Sequence, residues 1–138
     1  MQKQEASEGV KAAITGCHHF AICVHDIDKA RRFYGEILSL AELERPPEIA
    51  SKFRSAWYGV GSSELHVVEN AEFQPLDSPL APHIAVVTTD FHAMTAQIVE
   101  RGGEFRYGPG PGPDGILRAV IQDPTGNTVE ITAARLRG

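Results

Sequence analysis

The chain has 138 residues, a formal net charge of −5, 42% hydrophobic and 22% charged residues. That is the balance of an ordinary globular protein with one compact domain or two small halves sharing a core. The acidic balance and the lack of a basic run give no electrostatic case for nucleic acid, and no stretch approaches the roughly 20 apolar residues of a membrane span.

In chain order, residues 1–13 read as a polar tail without the apolar core of a secretion signal. Cys17 to Val24 reads as a buried strand, with Phe20, Ile22 and Val24 on one face and Cys17, His19, Ala21 and Cys23 on the other. Cys17 and Cys23 would then lie about 20 Å apart at roughly 3.3 Å per residue. That is beyond the reach of a disulfide, so free thiols and a cytoplasmic location are expected. Asp26 or Asp28 can cap a helix to about Ser39, with Ala30, Phe33, Tyr34, Ile37 and Leu38 on its apolar face. Leu40 to Arg45 reads as a short strand that Pro46-Pro47 stops, opening a loop. Phe53 to Val60 and Glu64 to Glu69 read as strands joined at Gly61-Ser62. Residues 71–81 carry prolines and polar residues and suit a linker.

The order then recurs. His83 to Thr89 reads as a strand, and Phe91 to Arg101 as a helix ended by Gly102-Gly103. Glu104 to Tyr107, Ile116 to Gln122 and Thr128 to Thr132 read as strands, the last two joined by Asp123-Pro-Thr-Gly-Asn127. The Gly-Pro alternation of 108–115 argues against helix or regular strand and suits a hairpin loop or a lid. Residues 14–70 and 82–138 thus form two copies of one β-α-β-β-β unit.

Two pairs of residues of metal-binding type share an offset of 64: His19 with His83, and His66 with Glu130. Strand alternation puts each on the face opposite the bulky, helix-covered side, so all four can meet if the halves join around one cavity. His18 has the opposite parity and reads as a core or rim residue. His25 lies at a strand end and is expected in solvent or at the cavity mouth. His92, near a helix start, is expected to be exposed. Arg54 and Arg118 also match at the offset, and either can hold a carboxylate or phosphate. Trp57 and Tyr58 can supply an apolar wall.

The motifs His19-Phe-Ala-Ile-Cys-Val-His-Asp26, Arg32-Phe-Tyr34 through Ile37-Leu38, His83-Ile-Ala-Val, and Asp123-Pro-Thr-Gly-Asn-Thr-Val-Glu130 resemble the vicinal oxygen chelate superfamily. That superfamily includes glyoxalase I, extradiol dioxygenases and antibiotic-resistance proteins. The resemblance covers 17–132. It implies an α+β fold of two βαβββ modules forming a cupped, eight-stranded mixed sheet, with helices on the convex side. By position it implies His19, His66, His83 and Glu130 as ligands of one divalent ion: zinc, nickel, cobalt, manganese or iron. Isomerases of this family usually carry Glu or Gln where His66 stands. Glu64, two residues earlier on the same face, is an alternative fourth ligand or a proton acceptor.

Three neutral imidazoles and a carboxylate leave such an ion with a net charge of about +1, suited to stabilising an enediolate-like oxyanion. With Glu64 or Glu130 moving a proton, isomerase or lyase chemistry on a small molecule with adjacent, possibly anionic, oxygens is expected. An Fe(II) dioxygenase using His19, His83 and Glu130, or a drug-sequestering binding protein, are the alternatives. A homodimer is expected from the size of such proteins, and whether the site lies within or between chains is open.

Overall fold

The computed structural model describes residues 9–78 and 80–137. The first eight residues of the expected tail lie outside it. The described elements build two modules of one β-α-β-β-β order, the first with an added helix between its second and third strands. The first holds β1 (His19–Val24), α1 (Ile27–Arg31), β2 (Glu42–Leu43), α2 (Pro47–Lys52), β3 (Ser55–Val60) and β4 (Ser63–Glu69). The second holds β5 (His83–Val87), α3 (Phe91–Glu100), β6 (Phe105–Pro111), β7 (Leu117–Gln122) and β8 (Thr128–Thr132). Helix α1 continues as a π-helical stretch over Arg32–Ile37, in which Leu38 N–H reaches back five residues to the Phe33 carbonyl. The two four-stranded sheets are ordered β1-β4-β3-β2 and β5-β8-β7-β6. In each, the first strand runs parallel to the last, and the hairpin strands are antiparallel. This is the expected α+β pair of βαβββ modules, hydrogen-bonded as two sheets of four.

Local chemistry explains the element boundaries. Asp26 caps α1, accepting from the Asp28 and Lys29 amides, and Asp90 caps α3, accepting from Ala93. Pro47 does not merely stop β2; it opens α2. Its fixed φ and missing N–H suit a first helical position, with Glu48 and Lys52 at the ends where the helix dipole favours them. The Gly-Pro segment also departs from its reading. Strand β6 runs through Gly108 to Pro111, admitted to the sheet by two register shifts against β7. Gly108 has φ +73°, and a Cβ there would fall 2.5 Å from the Arg118 carbonyl oxygen. Only glycine fits that crossing.

One core serves both modules. The helix-side faces of the strands, including Val24, Ala56, Tyr58, Leu65, Val67, Ile121, Val129 and Ile131, pack with Phe33, Tyr34, Leu38, Phe91 and Ile98. The tie between modules is Asp123, which is 4% exposed. Its Oδ1 accepts from the amides of Thr125, Gly126 and Asn127, all at 2.9 Å. Its Oδ2 accepts from the Asn127 side chain at 2.9 Å and from the Tyr34 hydroxyl of the first module at 2.8 Å. Burial and the neighbouring carboxylate push the Tyr34 phenol far above its usual range, so it stays a donor.

The same turn decides how the modules meet. Asn127 Nδ2 donates to the Cys23 carbonyl at 2.8 Å, and the His25 amide donates to Thr125 Oγ1 at 2.8 Å. The far end of β1 therefore lies beside the starts of β5 and β8. His25 is not left to solvent, because its ring meets the Phe73 carbonyl and anchors the linker there.

Candidate metal half-sites

The strand registers place His66 and Glu130 at equivalent positions. His66 pairs with Ala21 across β1–β4, and Glu130 pairs with Ala85 across β5–β8. Glu64 pairs with His19, as Thr128 pairs with His83. By position, His66 and not Glu64 is the counterpart of Glu130. The offset fails across the hairpins, however. Ser55 pairs with Val68, whereas Arg118 pairs with Thr132. The structural counterpart of Arg118 is Ser55, because the turn between Gly59 and Glu64 holds one residue fewer than that between Gln122 and Thr128.

Alternation then sends the two arginines to opposite faces. Arg118 shares the face of Glu130, with Nη1 3.4 Å from Glu130 Oε1 and its guanidinium 5.1 Å from the Tyr107 ring centroid. Arg54 lies on the helix side, bonded to Glu69 at 3.0 Å and 3.6 Å from Asp28. Tyr58 also lies on the helix side. It is fully buried, and burial together with Glu42 pushes its phenol up to about 12. The structure therefore places Tyr58 and Arg54 away from the face that carries the histidines, and Trp57 and Arg118 on it.

In the second module, His83 Nδ1 donates to the Ala81 carbonyl at 3.0 Å. That bond fixes the tautomer with the Nε2 lone pair free. Nε2 faces Glu130 Oε2 at 3.9 Å, a gap that one ion could close with a small side-chain shift. His83 also stands at the rim of a cleft of about 710 Å³, lined by Ala21, Cys23, Phe73, Pro75 and Asn127 among others.

In the first module, His66 is 8% exposed and its ring is sandwiched. Trp57 stacks on one face at 3.8 Å and 4°, and His19 on the other at 4.2 Å and 13°. His66 Nε2 is bonded to Glu64 Oε1 at 2.9 Å. That bond, with the His18 and His19 rings nearby, holds the Glu64 carboxyl below the usual carboxylate range. His18 joins the group, with its Nδ1 2.9 Å from His19 Nδ1. Parity missed this contact because His18 precedes the first laddered residue, where strand alternation does not bind.

The His19–His66 group and the His83–Glu130 pair do not meet within the chain. The Cys23 end of β1 lies beside β8 and hence beside His83. His19 begins the strand four residues earlier, about 13 Å away at roughly 3.3 Å per residue. Among the described residues no three His, Cys, Asp or Glu side chains are grouped to hold an ion. Within one chain the candidate ligands thus fall into two groups, one on each module. The donor sets are of the right kind: two imidazoles beside a carboxylate in the first half, one imidazole and one carboxylate in the second.

Residues 16–131 match the Glyoxalase/Bleomycin resistance protein/Dioxygenase superfamily, and the chain belongs to it. It is 30% identical over 120 residues to a Synechocystis protein named "Probable lactoylglutathione lyase", covering 82% of this chain and 91% of that one. It is 27% identical over 137 residues to the virulence protein STM3117 of Salmonella typhimurium, covering 94% and 92%. Among solved structures, a glyoxalase family protein from Bacillus anthracis superposes with a TM-score of 0.75 at 24% identity, over 89% of this chain and 98% of that one. The fold is thus that of the glyoxalase family. No helix among the described residues is long and apolar enough to cross a membrane.

Proposed function

We propose that the protein is a glyoxalase-like metalloenzyme, an isomerase or lyase, whose site is completed between two copies of the chain. The observation that carries this reading is the pair of half-sites: free His83 Nε2 facing Glu130 in one module, and His19 beside His66 and Glu64 in the other. Among the described residues neither half groups three such donors around an ion by itself, and the two lie at opposite ends of β1. A second copy can bring the His83 half of one chain to the His19 half of another. The faces involved are open for this contact, since His19, Ala21, His83, Ala85 and Val87 are all exposed.

A divalent ion there supplies polarisation of a carbonyl and stabilisation of an enediolate-like oxyanion. The chain's own groups do the rest. Arg118, on the Glu130 face, receives an anionic group of the substrate. Glu64 is kept ionised beside the histidines and can accept a proton. Names of relatives support lactoylglutathione as the first substrate to try. Its turnover by purified protein, lost on chelation and restored by a divalent ion, supports the reading; a metal-loaded dimer that is inert towards it counts against that substrate.

A second reading is favoured by the parallel stacking of His66 on His19. If His66 stays off the ion, His19, His83 and Glu130 are the two-histidine, one-carboxylate set of a non-haem Fe(II) dioxygenase. Oxygen uptake with catechols under Fe(II) distinguishes the two.

A further inference from the structure

We infer that His66 is a positioning residue that holds His19, and that the ion is bound without it. This rests on the metal reading above; with His66 off the ion, the donors left are His19, His83 and Glu130, the set on which the second reading is built. An imidazole binds an ion through a lone pair in the plane of its ring, at about 2.0–2.1 Å from nitrogen. Two imidazoles can share an ion only where their planes cross at that ion. The planes of His19 and His66 are tilted by 13° with centroids 4.2 Å apart, so they run side by side and do not cross near either nitrogen. One of the two rings must turn if both are to be ligands.

His66 is the ring that cannot turn easily. Trp57 covers its other face at 3.8 Å and 4°, and Nε2 is held by Glu64 at 2.9 Å. The side chain is 10% exposed. Swinging it out would break both stacks and the bond to Glu64. His19 has the opposite character. It is exposed, and apart from the stack it has one side-chain contact, His18 Nδ1 at 2.9 Å. In the tautomer where Nδ1 of His19 donates to His18, Nε2 of His19 carries the lone pair that an ion takes. Trp57, His66 and His19 form a three-ring pile in which the buried rings fix the angle of the exposed one. Positioning groups of this kind commonly affect metal affinity 10- to 100-fold, roughly, without touching the ion.

The test measures binding of Zn²⁺ and Co²⁺ by equilibrium dialysis and the visible absorption of bound Co²⁺, on wild type, His66→Phe, His66→Gln, His66→Ala and His19→Ala. Thermal unfolding of each variant confirms the fold. His66→Phe keeps the flat ring and has no nitrogen to give. The inference expects His66→Phe to bind with an affinity within about threefold of wild type and an unchanged cobalt spectrum. His66→Ala should bind roughly tenfold more weakly, with His66→Gln between, and His19→Ala should lose binding by about 100-fold or more. A folded His66→Phe that loses the ion as His19→Ala does overturns the inference and leaves the metal reading standing. A wild-type protein that binds neither ion overturns both.

Discussion

The hydroxyl of Tyr34 donates to Oδ2 of Asp123 across 89 positions of sequence, and this buried bond joins the two modules. Tyr34→Phe removes one of five donors to a carboxylate with almost no access to water. A cost of about 1–3 kcal/mol is expected, read as a fall of several degrees in Tm. Asp123→Ala strips the acceptor from three turn amides, the phenol and Asn127 together, and should cost more than about 4 kcal/mol. Calorimetry of the two variants checks the order.

Glu69 supplies a pH dependence of known sign. The Ile27 amide donates to its Oε2 at 3.0 Å and Arg54 to its Oε1 at 3.0 Å, so its pKa lies below the ordinary 4.5. A carboxyl whose folded pKa is depressed contributes stability above its unfolded pKa and loses that contribution as pH falls through the folded value. Glu69→Gln should therefore be less stable than wild type at neutral pH, and the gap should close below about pH 4.5. Urea midpoints from pH 3 to 7 measure it. A gap that does not change with pH contradicts the assignment.

Much of this architecture is readable from alternation and repetition alone. The two-module order, the hairpins and the facing of His19, His66, His83 and Glu130 follow from period-two patterning, and the register of β1–β4 and β5–β8 keeps the offset of 64. The readings that changed depend on single residues or on long-range contacts. Arg54 and Arg118 matched by number only, because one extra turn residue breaks the offset between β4 and β3. The separation of the half-sites depends on Asn127 reaching Cys23 across 104 positions. No local pattern encodes that contact.

The Gly-Pro strand gives a sharp local test. Gly108→Ala places a methyl group against the Arg118 carbonyl at a positive φ. It should lower Tm clearly and weaken the β6–β7 edge, whereas Gly110→Ala, with open space around its Cβ, should be far milder. Hydrogen exchange of the β6 amides distinguishes a local loosening from a global one.

Arg118 should govern anionic ligands. In the metal-loaded protein, Arg118→Gln should leave the ion bound and weaken oxalate, a dianion with adjacent oxygens. The loss of a charge-assisted hydrogen bond is worth about 1.5–3 kcal/mol, or roughly 10- to 100-fold. His83→Ala should lose the ion itself. Isothermal titration of both variants with oxalate separates the two roles.

The most direct measurement of the shared site is a mixing experiment. His19→Ala and His83→Ala homodimers, each purified, should hold little metal. Unfolded together and refolded, they form heterodimers in which one site joins an intact His19 half to an intact His83 half, while the other site lacks both. The account predicts that the isolated heterodimer binds about one ion, against about two for the wild-type dimer. A heterodimer that binds none, from chains that refold and pair as wild type does, would show that each site draws on a single chain.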